Sequence, residues 1–336
     1  MLAGCWLPEG PTFYYELIMN NHMILLCHAV GPIYITLTAA ALLSIVSPAL
    51  NSLSSHGKTR LLSNRSHGNN NHGSVVCSLY QRIRNFVLHS NYLSVNKGRF
   101  IDFYAVGSII TTITIMFNYL KWSGINTTTI TEHKHWLPAY LLLIHLVRRF
   151  CECTWVQKSV STSRMHVAGY LLGVIHYLCL PFVFIPINQE LEQKSSSIIE
   201  SFIVSMGCLY FQYQQHRHHV ILGNLRPNKT TSPTGGINSY RIPKGGWFDF
   251  VSCPHYLAEI MIYFMLAVLI QIQTDTSMIQ DEESGILYQI HALKHWIVFV
   301  WVSTNLSISA EKTHAWYIST FGKAYPRRKR LIPFLW

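Results

Sequence analysis

Apolar residues in this chain gather in long runs separated by short polar intervals. Seven such runs lie near 23–50, 101–120, 136–150, 166–187, 197–213, 255–273 and 290–310. A helix that crosses a bilayer needs about 20 mainly apolar residues. The pattern therefore predicts an all-α, multi-pass membrane helical bundle of about seven transmembrane helices. The third and fifth runs are short or carry polar residues, which leaves six as the alternative. No internal repeat and no soluble second domain interrupts the pattern, so 1–336 reads as a single membrane-embedded domain.

The basic residues decide between six and seven. With seven helices, alternate loops and the tail hold 22 of the 26 Lys and Arg, whereas 274–289 is purely acidic. Positive charge collects on the cytosolic side of membrane proteins, which places the N-terminus in the lumen and the C-terminus in the cytosol. No Lys or Arg precedes the first apolar run, as expected of a retained helix rather than a cleaved signal. The interval 51–98, rich in Ser, Asn, His and Gly, reads as a flexible cytosolic loop.

Composition narrows the function. Charged residues make up 12% of the chain, about half the share usual in soluble domains. The net charge of +11 is confined to loops, which argues against a nucleic-acid partner. Eight cysteines include no CxxC pair, so neither a zinc ribbon nor a disulfide framework is supported. The cluster Gln215-His216-Arg217-His218-His219 has no carboxylate near it in sequence, and no metal is expected.

The richest polar interval is 216–259. Arg226 and Arg241 stand there among Gly and Pro, in LGNLRPN and YRIPKGGWF. Guanidinium forks suit phosphate and pyrophosphate, and glycines let backbone amides approach an anion. The interval reads as a nucleotide platform at a membrane surface. Glu259 lies inside an apolar run and needs a partner; Arg241 and His255, one turn away, are the obvious choices. His145 and Arg149 share a face of the third helix. Asp102, at the start of the second, is either a helix cap or a functional acid.

Three of these segments also carry a resemblance. HVILGNLR, YRIPKGGWFDFVSCPHYLAEI and YPRRKRLIPFLW, with HLVRRFCEC upstream, resemble the steroid 5α-reductase family, most closely its polyprenol reductase branch. The likeness is densest over 214–336. It implies a C-terminal NADPH-binding half in which Arg149, His219, Asn224, Arg226, Arg241, His255, Glu259 and Tyr317 approach the cofactor, Glu259 near its nicotinamide. It implies an endoplasmic reticulum membrane enzyme that reduces the α-isoprene double bond of polyprenol or polyprenal in dolichol synthesis, with dehydrogenases as possible partners. Asp102, His145 and His314 are then the candidate proton donors or oxyanion stabilisers. In the steroid branch a tyrosine follows the equivalent histidine; Leu146 stands here, which counts against a 3-oxo-steroid.

Chemistry favours the aldehyde. Hydride needs an electrophilic carbon, and an isolated allylic alcohol offers none. A conjugated carbonyl does, because charge delocalises onto an oxygen that a donor can stabilise. The competing readings are a steroid or enoyl-CoA reductase of the same family, and a seven-helix receptor or transporter.

Overall fold

The computed structural model describes residues 28–43, 94–123, 136–156, 164–184, 198–225, 240–273, 290 and 292–336. Each of the seven predicted apolar runs is a helix or contains one. The helices are α1 (His28–Leu43), α2 (Phe100–Ser123), α3 (Leu137–Cys151), α4 (Val167–Cys179) with its short continuation α5 (Pro181–Phe184), α6 (Ile198–Asn224), α7 (Pro254–Gln273) and α8 (Lys294–Phe321). The spans Lys97–Phe117, Val167–Phe184 and Pro254–Gln273 are long and apolar enough to cross a membrane.

Local chemistry sets several of the ends. Pro138 opens α3 where a backbone N–H has no helical partner. The His166 imidazole caps α4 by accepting from the Ala168 amide at 3.1 Å. Gly322, at φ 51°, closes α8 in a conformation that disfavours other residues. The end of 51–98 departs from the expected loop. Ser94–Asn96 forms strand β1, antiparallel to β2 (Arg164–His166), with Val95 opposite Met165. The Arg164 guanidinium donates to the Ser94 hydroxyl at 2.6 Å and to its carbonyl at 2.8 Å. This clip ties the start of α2 to the start of α4.

Burial is arranged as a bilayer would require. Tyr34, Leu142, Leu146, Tyr263, Leu266 and Val298 are fully buried between the helices. Ile109, Ile113 and Met116 of α2, and Leu171, Ile175 and Leu178 of α4, are exposed instead. Their spacing of four and three residues puts each trio on one helix face, an outward apolar surface suited to lipid.

Below Cys151 the winding loosens into a π-helical segment, Glu152–Val156, of the kind often found at functional sites. The end of α6 packs against it so closely that a Cβ on Gly223 would lie 2.6 Å from the Val156 carbonyl oxygen. Gly223→Ala must therefore shift backbone rather than a side-chain tip. We expect it to lower stability by about 1–3 kcal/mol, read as a lower thermal midpoint in detergent; an unchanged midpoint would show that the two segments are free to separate.

Candidate active site

Where α3, the π segment, α6 and α7 meet, the protein buries four charged side chains and several imidazoles. Residues three and four apart on a helix share a face, so Arg148 and Arg149 both reach Glu152. Each donates to a different Glu152 oxygen. From α6, His219 Nδ1 lies 2.6 Å from Glu152 Oε2 and His216 Nδ1 lies 2.9 Å from Oε1. Arg148 also donates to the Gln215 carbonyl, and the Gln215 amide donates to Glu259. Arg149 turns to α2, donating to the Tyr104 hydroxyl from Nε at 3.2 Å and from Nη2 at 2.9 Å. Two cations face two anions, so the buried cluster is charge-balanced.

The tautomers follow from the partners. Carboxylates only accept, so His219 Nδ1 carries the hydrogen and donates to Glu152; Arg149 Nη1, 2.7 Å from the same nitrogen, is a second donor to that carboxylate. Arg148 Nη2 lies 3.2 Å from His145 Nδ1 and donates to it. His145 Nε2 then carries a hydrogen. It lies 3.2 Å from Glu259 Oε1 and pairs with that carboxylate. Burial alone would raise the Glu152 carboxyl; the His219 hydrogen bond and the charges of Arg149 and Arg148 hold it well below the usual carboxylate range. Burial and Arg149 push His219 down to about 4, so it is neutral at pH 7.

A second cluster lies on the segment leading into α7. There Gly245 (φ 89°) and Gly246 (φ 58°) take conformations natural to glycine. Ser252 Oγ lies 2.7 Å from both His314 Nδ1 and the Tyr325 hydroxyl. Tyr317 stacks on Tyr325 with ring centroids 5.2 Å apart. Arg328 covers Tyr325 and donates to the Pro243 carbonyl at 2.7 Å. The tail is stitched to this segment by backbone bonds from Ser252 to Lys329 and from Cys253 to Arg330. The entry to α7 and its first two turns join the clusters: Ser252 reaches His314, His255 lies 5.6 Å from His219 between ring centroids, and Glu259 meets Gln215.

The expected site residues divide accordingly. His145, Arg149, His219 and Glu259 converge, with His255 alongside. His314 and Tyr317 fall in the second cluster. Asp102 is bound elsewhere, by Tyr170 at 2.8 Å and Arg99 at 3.4 Å, in the first turn of α2. Asn224 is exposed at the end of α6, and Arg226 lies outside the described residues. Arg241 is exposed and is not the partner of Glu259; Gln215 and His145 hold that carboxylate instead. Glu152 was missed by sequence reasoning, although its spacing from Arg148 and Arg149 was the available signal. It also supplies the carboxylate that the α6 histidines lacked in sequence. Among the described residues no His, Cys, Asp and Glu group is suited to a metal.

Comparison with known proteins adds to this geometry. Residues 163–277 and 285–336 match the family described as 3-oxo-5-alpha-steroid 4-dehydrogenase. Polyprenal reductase 1 of Oryza sativa subsp. indica is 30% identical over 307 residues, covering 72% of this chain and 80% of that protein. Polyprenal reductase 1 of Arabidopsis thaliana is 29% identical, covering 74% and 84%. The polyprenal reductase of Homo sapiens is 32% identical over 216 residues, covering 59% of this chain and 60% of its own length.

Removing the Glu152 charge leaves two buried guanidinium groups uncompensated. Glu152→Gln should cost about 3–5 kcal/mol at pH 7. A carboxyl with a lowered pKa contributes stability above its unfolded value, near 4.3 for Glu, and loses it as pH falls towards the folded value. The thermal midpoints of wild type and variant should therefore draw together below about pH 4; a gap independent of pH would mean that Glu152 is not ionised in the network.

Proposed function

Because the chain belongs to the 3-oxo-5-alpha-steroid 4-dehydrogenase family, the steroid 5α-reductase family, we propose that it reduces the α-isoprene double bond of polyprenal with NADPH, as a step in dolichol synthesis at the endoplasmic reticulum membrane. The observation that carries this reading is the charge-balanced cluster of Arg148, Arg149, Glu152, Gln215, His219 and Glu259, buried where apolar helices meet. The name of the rice, Arabidopsis and human relatives, polyprenal reductase, favours the aldehyde over the alcohol. Partner dehydrogenases would then convert the alcohol to the aldehyde before reduction and the saturated aldehyde to the alcohol after it.

The residues fit a dinucleotide at both ends. Buried donor atoms with no hydrogen bond or ion pair point to a polar ligand: Nε of Arg328 on the tail and Nε of Arg148 in the deep cluster, whereas Nε of Arg330 is paired with Glu311. The tail guanidinium groups suit phosphates. The Glu259 carboxylate, already accepting from Gln215, suits the amide hydrogens of a nicotinamide. When bound there, NADPH supplies the hydride. Arg149, His219, His255 and Tyr317 would line its course between the clusters, and Arg241 its exposed edge. His145 Nε2, 3.2 Å from Glu259 Oε1, is a buried donor beside the same carboxylate. Burial and the charge of Arg330 lower the pKa of His314, against the pull of Glu311. The substrate chain lies among the apolar helix faces, its reactive end at the deep cluster.

Purified protein in lipid nanodiscs, given NADPH and either polyprenal or polyprenol, tests the proposal. Polyprenal should be consumed with loss of NADPH absorbance and polyprenol should not. Turnover of polyprenol alone would overturn the aldehyde assignment, and turnover of a 3-oxo-steroid or an enoyl-CoA in preference to both would move the chain to another branch.

A further inference from the structure

Beyond the stitched part of the tail, residues 331–336 fold into a tight hook. The Trp336 carbonyl oxygen accepts from the Leu331 amide at 3.0 Å and from the Ile332 amide at 2.8 Å, and the Trp336 amide donates back to the Ile332 carbonyl at 3.1 Å. The inner side of the hook is packed. Leu331 is buried in one apolar group with Cys253 and Ile260, and Trp336, Tyr256 and Leu257 pack against that group. Arg330 lies over the Trp336 ring at 5.6 Å and pairs with Glu311 of α8.

The outer side is apolar and open. Phe334 is 81% exposed and Leu335 is 77% exposed. Ile332 and Phe250 are exposed as well, and the Phe250 and Phe334 ring centroids lie 6.2 Å apart. Phe334 is also, among the described residues, the one non-glycine residue in positive φ, at 66°. A bulky side chain is disfavoured in that conformation, and glycine would adopt it freely. Outliers of this kind gather at functional positions. Packing inside the protein does not account for a phenylalanine here, since most of its ring stands clear of the fold.

The place of the hook identifies what covers it. Tyr256 and Leu257 form the first turn of α7, one end of the span Pro254–Gln273 that is long and apolar enough to cross a membrane. An apolar tip beside the end of such a span lies at the boundary of hydrocarbon and head groups, where aromatic side chains collect. The charges point the same way. Lys323, Arg327 and Lys329 are exposed, whereas Arg328 and Arg330 are half-buried, as alternation along an extended segment provides. No Asp or Glu occurs from 312 to 336. Basic residues beside an apolar anchor are drawn to anionic lipid. A second copy of the chain seated symmetrically on this patch would set the same cations against one another.

We propose that the hook is an interfacial anchor: Phe334, Leu335 and Ile332 enter the lipid, and Lys323, Arg327 and Lys329 bind anionic head groups. The Lys329 backbone is bonded to both Phe250 and Ser252, and Ser252 reaches His314. The anchor therefore holds the second cluster at the membrane surface. The inference rests on the membrane-spanning helices and not on the reaction proposed above.

The test uses full-length protein in nanodiscs, with photoreactive benzoylphenylalanine substituted at Phe334 or at Leu335. Both side chains stand largely outside the fold, so folding does not depend on them. Illumination followed by mass spectrometry of the tail should find lipid adducts at both positions. Adding phosphatidylserine to phosphatidylcholine nanodiscs should raise the adduct yield about fivefold, and Arg327→Gln combined with Lys329→Gln should abolish that rise. Adducts to a second copy of the chain, absence of lipid adducts, or a yield indifferent to phosphatidylserine would each overturn the proposal.

Discussion

A single buried carboxylate, Glu152, sets the terms for the rest of the site. Two guanidinium groups beside each other repel strongly away from water, and Arg148 and Arg149 are adjacent in sequence and both largely buried. Glu152 offers one oxygen to each and a further bond to each of two α6 histidines. The loosened turn that begins at Glu152 and the close seat of Gly223 against Val156 bring α6 near enough for those histidines to arrive. From there the network runs outward along both arginines, through Gln215 to Glu259 and through Tyr104 to the apolar interior.

The reactants proposed for this bundle have opposite character, and it offers a surface suited to each. The faces of α2 and α4 that carry Ile109, Ile113, Leu171 and Ile175 are apolar and outward, as a lipid-dissolved substrate requires. The segment 240–253 and the tail carry glycines in positive φ, exposed basic residues and the stitched backbone of 250–253 and 329–330, features suited to the charged dinucleotide proposed above. The two meet at the first turn of α7. A buried ion cluster adds little to stability by itself, so its presence here fits a role in gripping and polarising rather than in folding.

Much of the fold was legible because bilayer physics writes long apolar runs directly into sequence; all seven runs hold helices. The site was legible only in part. His145 and Arg149 were visible together because helix periodicity links them, and Glu259 stood out as a charge in an apolar run. Its partners were not visible, since Gln215 and His145 arrive from other helices and nothing local announces them. Arg241 looked like a partner by proximity in sequence and proved to be exposed. Tyr104 was hidden for a different reason: a tyrosine in an apolar helix is unremarkable until its hydroxyl is seen to meet a guanidinium.

On the proposed reading, the nicotinamide of a bound dinucleotide meets a lipid aldehyde at the α3–α6–α7 cluster. An electron cryomicroscopy structure of the protein with NADPH in a nanodisc tests this most directly. The account requires the nicotinamide carboxamide within hydrogen-bonding reach of Glu259, and phosphate density on the tail arginines. A dinucleotide seated elsewhere, with the Arg148–Glu152–Gln215–Glu259 network closed beneath it, would contradict the account.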